Sequence, residues 1–236
     1  MAALEELKRL NNISMNKNPT KWEKDDPEAV KIISLNCRSL KKHHQDILTD
    51  KLILKSDLIA LQETWLDHDE MQEDLIIPGY DVAINSNGKG KGIITYYNKA
   101  IFKHISDIKK DKMQLSKFTS ANLDIIVLYR SAQGNKQEMN QLIKQFKKRN
   151  VPQLVVGDFN FHYLEEGANS MKQFFLEENY SQLIMEPTHI EGNILDQAYV
   201  KDESKLLKFT VEIQTKYYTD HRGIALTVEH GEKLQL

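Results

Sequence analysis

Leu154-Val155-Val156-Gly157-Asp158-Phe159-Asn160 is the stretch on which the reading of this chain turns. Three branched apolar residues closed by a glycine read as a buried strand reaching its end. Asp158 and Asn160 stand two apart, so on an extended segment they share a face, and a carboxylate and an amide reach a surface together. Gly-Asp and Asn also form plain turns for backbone reasons alone, and this stretch by itself does not separate the two readings.

Other apolar runs end in the same way. Val30 to Leu35 reads as a strand closing on Asn36, with Cys37, Arg38 and Ser39 after it. Leu58-Ile59-Ala60-Leu61 runs into Gln62-Glu63-Thr64-Trp65, and a carboxylate just beyond a core strand is how hard divalent cations are held. Asp124 to Tyr129 ends in a phenol and a guanidinium, Tyr129-Arg130. Asp196 lies at or beside a strand, and Tyr217-Tyr218-Thr219-Asp220-His221-Arg222-Gly223 leads into a last strand, Ile224 to Val228. His221 thereby falls among acids from distant parts of the chain, and His189 is the less economical choice for the same role. Asp81 to Ile84 and Ile93 to Tyr97 are further strands.

Between the strands, apolar residues at helical spacing predict helices over 40–55 and 135–148 and a third containing Met171, Phe174 and Phe175. Lys41, Lys42, His43 and His44 are read as the solvated face of the first helix, since adjacent histidines on a helix point in different directions. The acids Asp67, Asp69, Glu70, Glu73 and Asp74 are read as a solvated loop or helix. The loop 85–92 is basic and hairpin-like, and it lacks the spacing and the closing Lys-Ser/Thr of a phosphate-binding P-loop.

The chain has 236 residues, 40% of them hydrophobic, enough for one large domain, here 29–236, behind a polar segment 1–28 that reads as a linker or the remnant of a larger polypeptide. A formal net charge of -2 means that a polyanion must be held by a local basic surface. One is present: eight lysines against two acids between Lys89 and Lys117. Ordinary solvated lysines on hairpins give the same pattern. Cys37 is the only cysteine, which excludes an intrachain disulfide, fits a reducing compartment and is easily a small buried apolar residue. No apolar run reaches the length of a membrane span and no secretory leader is visible, so an intracellular and nuclear location without membrane association is expected.

Taken together, Asn36, Gln62-Glu63-Thr64, Tyr129, Gly157-Asp158-Phe159-Asn160, Asp196 and Thr219-Asp220-His221 resemble, in order and approximate spacing, the endonuclease/exonuclease/phosphatase family. The similarity runs from about Val30 to Val228. Leu61-Gln62-Glu63-Thr64-Trp65-Leu66, Tyr129-Arg130-Ser131 and Glu186-Pro187-Thr188-His189-Ile190-Glu191-Gly192-Asn193-Ile194-Leu195-Asp196 are most similar to the endonucleases of mobile elements, non-LTR retrotransposons and Helitron-type transposons. The resemblance implies an α/β fold of DNase I type, a two-sheet β-sandwich flanked by helices on both sides in four αββα layers, with the site at one rim. It implies a Mg²⁺-dependent DNA endonuclease, with Mn²⁺ able to substitute, that nicks to leave 3′-OH and 5′-phosphate ends and has other domains of a polyprotein as possible partners.

By the same resemblance, Glu63, Asn36 and Asp220 are metal ligands, while Asp158, Asn160, His221, Asp196 and Tyr129 are catalytic. Arg38, Arg130, Lys89, Lys91 and Thr188 are nucleic-acid contacts. Repair apurinic endonucleases typically carry an acid two residues beyond the first asparagine, where this chain has Arg38, and the number of metal ions is left open. The alternatives are an apurinic repair endonuclease, a small-molecule or lipid phosphodiesterase of the family, and, from another class, a catalytically silent nucleic-acid-binding domain.

Overall fold

The structure is a computed structural model that describes residues 29–67, 75–146 and 149–231. The expected linker 1–28, the acids Asp69, Glu70, Glu73 and Asp74, and Lys148 at the expected end of a helix lie outside the described residues. In chain order the elements are β1 (Val30–Asn36), α1 (Leu40–Thr49), α2 (Lys51–Leu54), β2 (Leu58–Gln62), β3 (Asp81–Asn85), β4 (Ile93–Tyr97), β5 (Lys103–Lys110), β6 (Met113–Thr119), β7 (Asp124–Arg130), α3 (Lys136–Gln145), β8 (Gln153–Asp158), α4 (Asn169–Glu177), β9 (Ser181–Gln182), β10 (Asp196–Lys201), β11 (Leu207–Thr215) and β12 (Arg222–His230).

The strands form two six-stranded sheets, ordered β11-β12-β1-β2-β4-β3 and β5-β6-β7-β8-β10-β9. Each is mainly antiparallel around one parallel pair, β1 with β2 and β7 with β8. Period-two alternation assigns the faces. In β1 and β2, Ile32, Leu58 and Ala60 join the core between the sheets, whereas Ile33, Leu35, Ile59 and Leu61 pack outward with Leu40 and Ile47 of α1. On the far side, Met139, Leu142 and Ile143 of α3 and Met171, Phe174 and Phe175 of α4 cover the second sheet. The four layers are therefore the ones expected.

The parity that buries Ile32 also turns Ser34 and Asn36 inward, which sends a polar end of β1 between the sheets. Gly157 is required for the same convergence. It has a φ of +149° and pairs with Leu128, and a Cβ there would stand 1.9 Å from the Leu128 carbonyl oxygen.

The helix expected over 40–55 is broken at Asp50, which has extended backbone and accepts from the Leu52 and Ile53 N–H groups (3.0 and 3.3 Å) as the N-cap of α2. A capping aspartate gains more by satisfying those free N–H groups than by continuing the helix. His43 and His44, expected in solvent, are buried, and the His43 ring stacks on Tyr218 at 5.4 Å. Cys37 is buried, and burial with the nearby Glu63 charge pushes its thiol well above the usual range, which leaves it unreactive. Four strands were not anticipated: the edge strand β5, whose residues are mostly exposed, the buried β6, the two-residue β9 and β11.

Candidate active site

The ends of β1, β2, β7, β8, β10 and β12 gather at one rim, where the turns after β1, β2 and β8 hold the backbone in unusual geometry. Arg38, Ser39, Glu63, Trp65 and Asn160 all have positive φ, and strain of this kind in residues other than glycine concentrates where side chains must be aimed. The turn after β1 is laced to the end of β2: Cys37 N–H donates to the Gln62 carbonyl, Ser39 N–H to that of Glu63 and Leu40 N–H to that of Thr64, at 2.8 to 3.0 Å. This lacing fixes Asn36 and Glu63 side by side.

Asp158, the last residue of β8, is fully buried rather than set on a surface. Its Oδ2 accepts from Asn36 Nδ2 of the opposite sheet at 2.8 Å, and its Oδ1 accepts from the Asn160 N–H at 2.7 Å. Asn160 turns left-handed to make that bond, so the two side chains do not share the face of an extended strand. Burial, followed by the charges of Asp196 and Glu63, pushes the Asp158 carboxyl up to about 8.

Asp196 opens β10 directly opposite Asp158, and its Oδ2 lies 2.8 Å from His221 Nδ1. Burial alone would lower the His221 pKa, but the Asp196 charge and hydrogen bond, with Asp158 and Asp220 behind them, raise it to about 9. The imidazole is thus cationic at neutral pH, with its other nitrogen available to donate. Thr219 Oγ1 holds this loop by donating to the Asn36 carbonyl at 2.9 Å.

Asp220 is bound to Arg38 through its Oδ2, and His189 Nε2 lies 3.4 Å from the same oxygen. Burial raises the Asp220 carboxyl, but the Arg38, His221 and His189 charges outweigh it and hold it below the usual carboxylate range. His189 and His221 form an antiparallel bridge with their rings edge to face at 5.0 Å, which brings His189 closer to the centre than its sequence suggested.

Among the described residues, the ligand atoms of Asp158, Asp196 and His221, and those of His189, Asp220 and His221, lie within 4.8 Å of one another. Glu63 belongs to neither group; its charge reaches Asp158 and Tyr129, and its Oε2 accepts from Trp65 Nε1 at 3.3 Å. Asp196 Oδ1 and Asp220 Oδ1 are buried without a hydrogen-bond partner. Carboxylates that crowd one another, raise a pKa and leave acceptor oxygens unused are a donor set suited to a hard divalent cation.

Three expected contacts take other roles. Arg130 is only 2% exposed, and its guanidinium donates to the carbonyls of Phe159 (2.7 Å), Ala132 (3.3 Å), Gly134 (2.5 Å) and Asn160 (3.0 Å). It binds the turn after β8 to that after β7, and no free face is left for a phosphate. Thr188 is buried, and its Oγ1 accepts from the Leu195 and Asp196 N–H groups at 3.0 and 2.9 Å, so it positions Asp196. Tyr129 donates to the Gly90 carbonyl at 2.9 Å and anchors the loop between β3 and β4 over the site. Burial and the Glu63 and Asp158 charges push its phenol well above the usual range, so it stays protonated.

The lysine run is split by the fold. Lys89 and Lys91 on that loop, and Lys109, Lys110 and Lys112 at the turn between β5 and β6, lie at the site rim, where Lys91 pairs with Asp111 at 2.6 Å. Register places Lys99, Lys103 and Lys117 toward the opposite end. Lys117 is buried and paired with Asp124 at 2.8 Å, which removes it from any DNA surface.

This fold and rim define a phosphoester hydrolase, and the chain belongs to the endonuclease/exonuclease/phosphatase family, whose model matches residues 33–221. No curated protein matches the sequence. Among solved structures, the endonuclease domain of TRAS1, a telomere-specific non-LTR retrotransposon, is similar with a TM-score of 0.67 at 12% identity, covering 86% of this chain and 99% of that one. The human Nocturnin catalytic domain gives 0.66 at 14% identity over 92% and 100%, and an AP endonuclease from Archaeoglobus fulgidus gives 0.63 at 16% over 84% and 98%. At these identities the likeness establishes the fold. No helix among the described residues is long and apolar enough to cross a membrane.

Proposed function

We propose that this chain is a Mg²⁺-dependent DNA endonuclease of a mobile genetic element, nicking to leave 3′-OH and 5′-phosphate ends, with Mn²⁺ able to replace Mg²⁺. One observation carries the reading: Asn36, Glu63, Asp158, Asp196 and His221 come from strand ends of both sheets to one rim, where Asn36 Nδ2 lies 2.8 Å from Asp158 Oδ2 and His221 Nδ1 2.8 Å from Asp196 Oδ2. Burial and the Asp196 and Glu63 charges keep a proton on Asp158 at neutral pH in the metal-free protein; with those charges cancelled by a bound cation, Asp158 is free to accept a proton from water while the His221 imidazolium gives one up.

Asp158, fixed by Asn36 and the Asn160 N–H, accepts a proton from the attacking water. His221, held by Asp196, donates to a phosphate oxygen, and Thr188 and Thr219 keep that pair in register. Asn36 and Glu63 would hold the cation, which when bound supplies charge neutralisation for the phosphoryl oxygens. Tyr129 acts through the Gly90 loop that it anchors. The rim lysines favour a long polyanion over a small phosphate ester, and the motifs shared with retrotransposon endonucleases favour a mobile element, with residues 1–28 as the linker to further domains and the nucleus as the site of action.

The test is nicking of supercoiled plasmid with and without Mg²⁺, by wild type and by Glu63→Ala and His221→Ala proteins shown to be folded. Each substitution is expected to cost about 10²–10⁴-fold in rate. A folded His221→Ala protein that nicks at the wild-type rate would remove the histidine from the chemistry, and nicking undiminished in chelator would remove the cation.

A further inference from the structure

Glu63 has the longest side chain among the acids gathered at the rim, and its carboxylate is held by a single group. Asn36 is fixed at both ends of its amide, where Oδ1 accepts from the Arg38 N–H at 3.1 Å and Nδ2 donates to Asp158. Asp158 accepts from two donors, and Asp196 is paired with His221. Among the described residues, the one hydrogen bond to the Glu63 carboxylate comes from Trp65 Nε1, 3.3 Å from Oε2.

The backbone brings these two side chains together. Glu63 and Trp65 have φ of +50° and +58°, a conformation that residues other than glycine seldom adopt. Their turn is pinned from both sides. The Ser39 and Leu40 N–H groups donate to the Glu63 and Thr64 carbonyls at 2.8 and 3.0 Å, and across the turn the Trp65 N–H donates to the Lys91 carbonyl at 3.0 Å while the Gly88 N–H donates to that of Leu66 at 3.3 Å. With the backbone held, the freedom left to Glu63 is that of its own side-chain torsions, and the indole is what restrains them. An indole N–H is a neutral donor with no lone pair to offer a metal. It engages one carboxylate oxygen, leaves the negative charge intact and leaves Oε1 for a ligand, whereas a lysine or arginine in its place would neutralise the acid.

We propose that Trp65 is a positioning residue of this centre, whose indole N–H holds the Glu63 carboxylate in place for the divalent cation and so sets the affinity for that ion. The proposal rests on the nuclease reading of the rim, in which Glu63 is a metal ligand, and adds to it a residue that acts through Glu63.

The test removes the N–H and keeps the ring. Wild type, Trp65→Phe and a protein carrying 3-benzothienylalanine at position 65, in which sulfur replaces the indole N–H, are titrated with Mn²⁺ in the absence of DNA. The free ion is followed by electron paramagnetic resonance, and folding is checked by circular dichroism. Loss of a group that orients a metal ligand weakens metal binding by about 10–100-fold, and both altered proteins should show a loss in that range. Should Trp65→Phe fail to fold, the benzothienyl protein carries the comparison, since it keeps the shape of the ring. The chain has two tryptophans, Trp22 and Trp65, so proton–nitrogen correlation spectra of metal-free protein give two indole signals, and the one missing from Trp65→Phe, or from the benzothienyl protein, should shift in Glu63→Ala. Equal Mn²⁺ affinity in the benzothienyl protein would overturn the proposal even if Trp65→Phe binds weakly, because the ring would then act by packing alone. An indole signal unmoved by Glu63→Ala would overturn it as well. A folded wild type that takes up no Mn²⁺ would overturn the cation-dependent nuclease reading and the proposal with it, a failure distinct from unaltered affinity.

Discussion

Replacing Asp196 by asparagine keeps the shape of a buried side chain and removes the charge that holds His221. In the wild type the imidazole rises from 6.5 to about 9, burial opposing and the Asp196 carboxylate at 2.8 Å prevailing. At about 1.4 kcal/mol per unit, the pairing stabilises the fold by on the order of 3 kcal/mol. The folded pKa lies above the unfolded one, so this contribution is whole below about pH 6.5 and is lost as pH rises through about 9. In Asp196→Asn, burial regains weight and the imidazole should titrate near or below 6.5, the ordinary value. Two assays follow it: ring-proton NMR of metal-free protein for the titration, and urea unfolding across pH 6 to 10 for the stability. The wild type should exceed the variant most at the acid end and converge on it at the alkaline end, while nicking at neutral pH falls about 10²–10⁴-fold. A wild-type His221 titrating at or below 6.5, or a stability gap independent of pH, would refute the reasoning.

Three further outcomes are expected. Gly157→Ala places a Cβ 1.9 Å from the Leu128 carbonyl at a φ that L side chains avoid, and should lower the melting temperature by on the order of 10 °C, read by calorimetry. Arg130→Lys keeps the charge but cannot fork to four carbonyls, so it should cost about 2 kcal/mol or more in urea unfolding while the salt dependence of DNA binding stays as in the wild type; a flatter salt slope would return Arg130 to the interface. Lys89→Ala with Lys110→Ala and Lys112→Ala should weaken binding and flatten the plot of log affinity against log salt by about 0.9 per lost contact, whereas Lys99→Ala with Lys103→Ala should change neither, and equal effects from both sets would show that the rim does not define the DNA surface.

What could be read from the sequence followed from local physics. An apolar run that stops at Asn36, Gln62-Glu63, Tyr129 or Asp158 announces a strand delivering a polar group, and it is the order of these four ends with Asp196 and His221 that resembles the family and thereby implies the two-sheet architecture. The misreadings concern what a side chain meets across the fold. Arg130 and Thr188 carry ordinary signs of phosphate contact, yet both are consumed by backbone groups that reach them only once the β7, β8 and β10 ends are packed. His43 is covered by Tyr218, which arrives from far along the chain. The missed strands divide by cause: β9 has only two residues, and β6, buried along most of its length, mixes Gln114, Ser116 and Lys117 among its apolar residues. β5 is an exposed edge strand without a clear apolar period, but Leu207, Phe209, Val211 and Ile213 of β11 alternate plainly and all pack on the core. Asn36 shares parity with Ile32, so it faces inward across the sandwich, where it meets Asp158 of the opposite sheet. Arg38 marks the limit of such reasoning. Its place after Asn36 shows a cation where an acid would serve a metal, but only the β12 loop, arriving from 182 residues away, shows that the cation is clamped by Asp220.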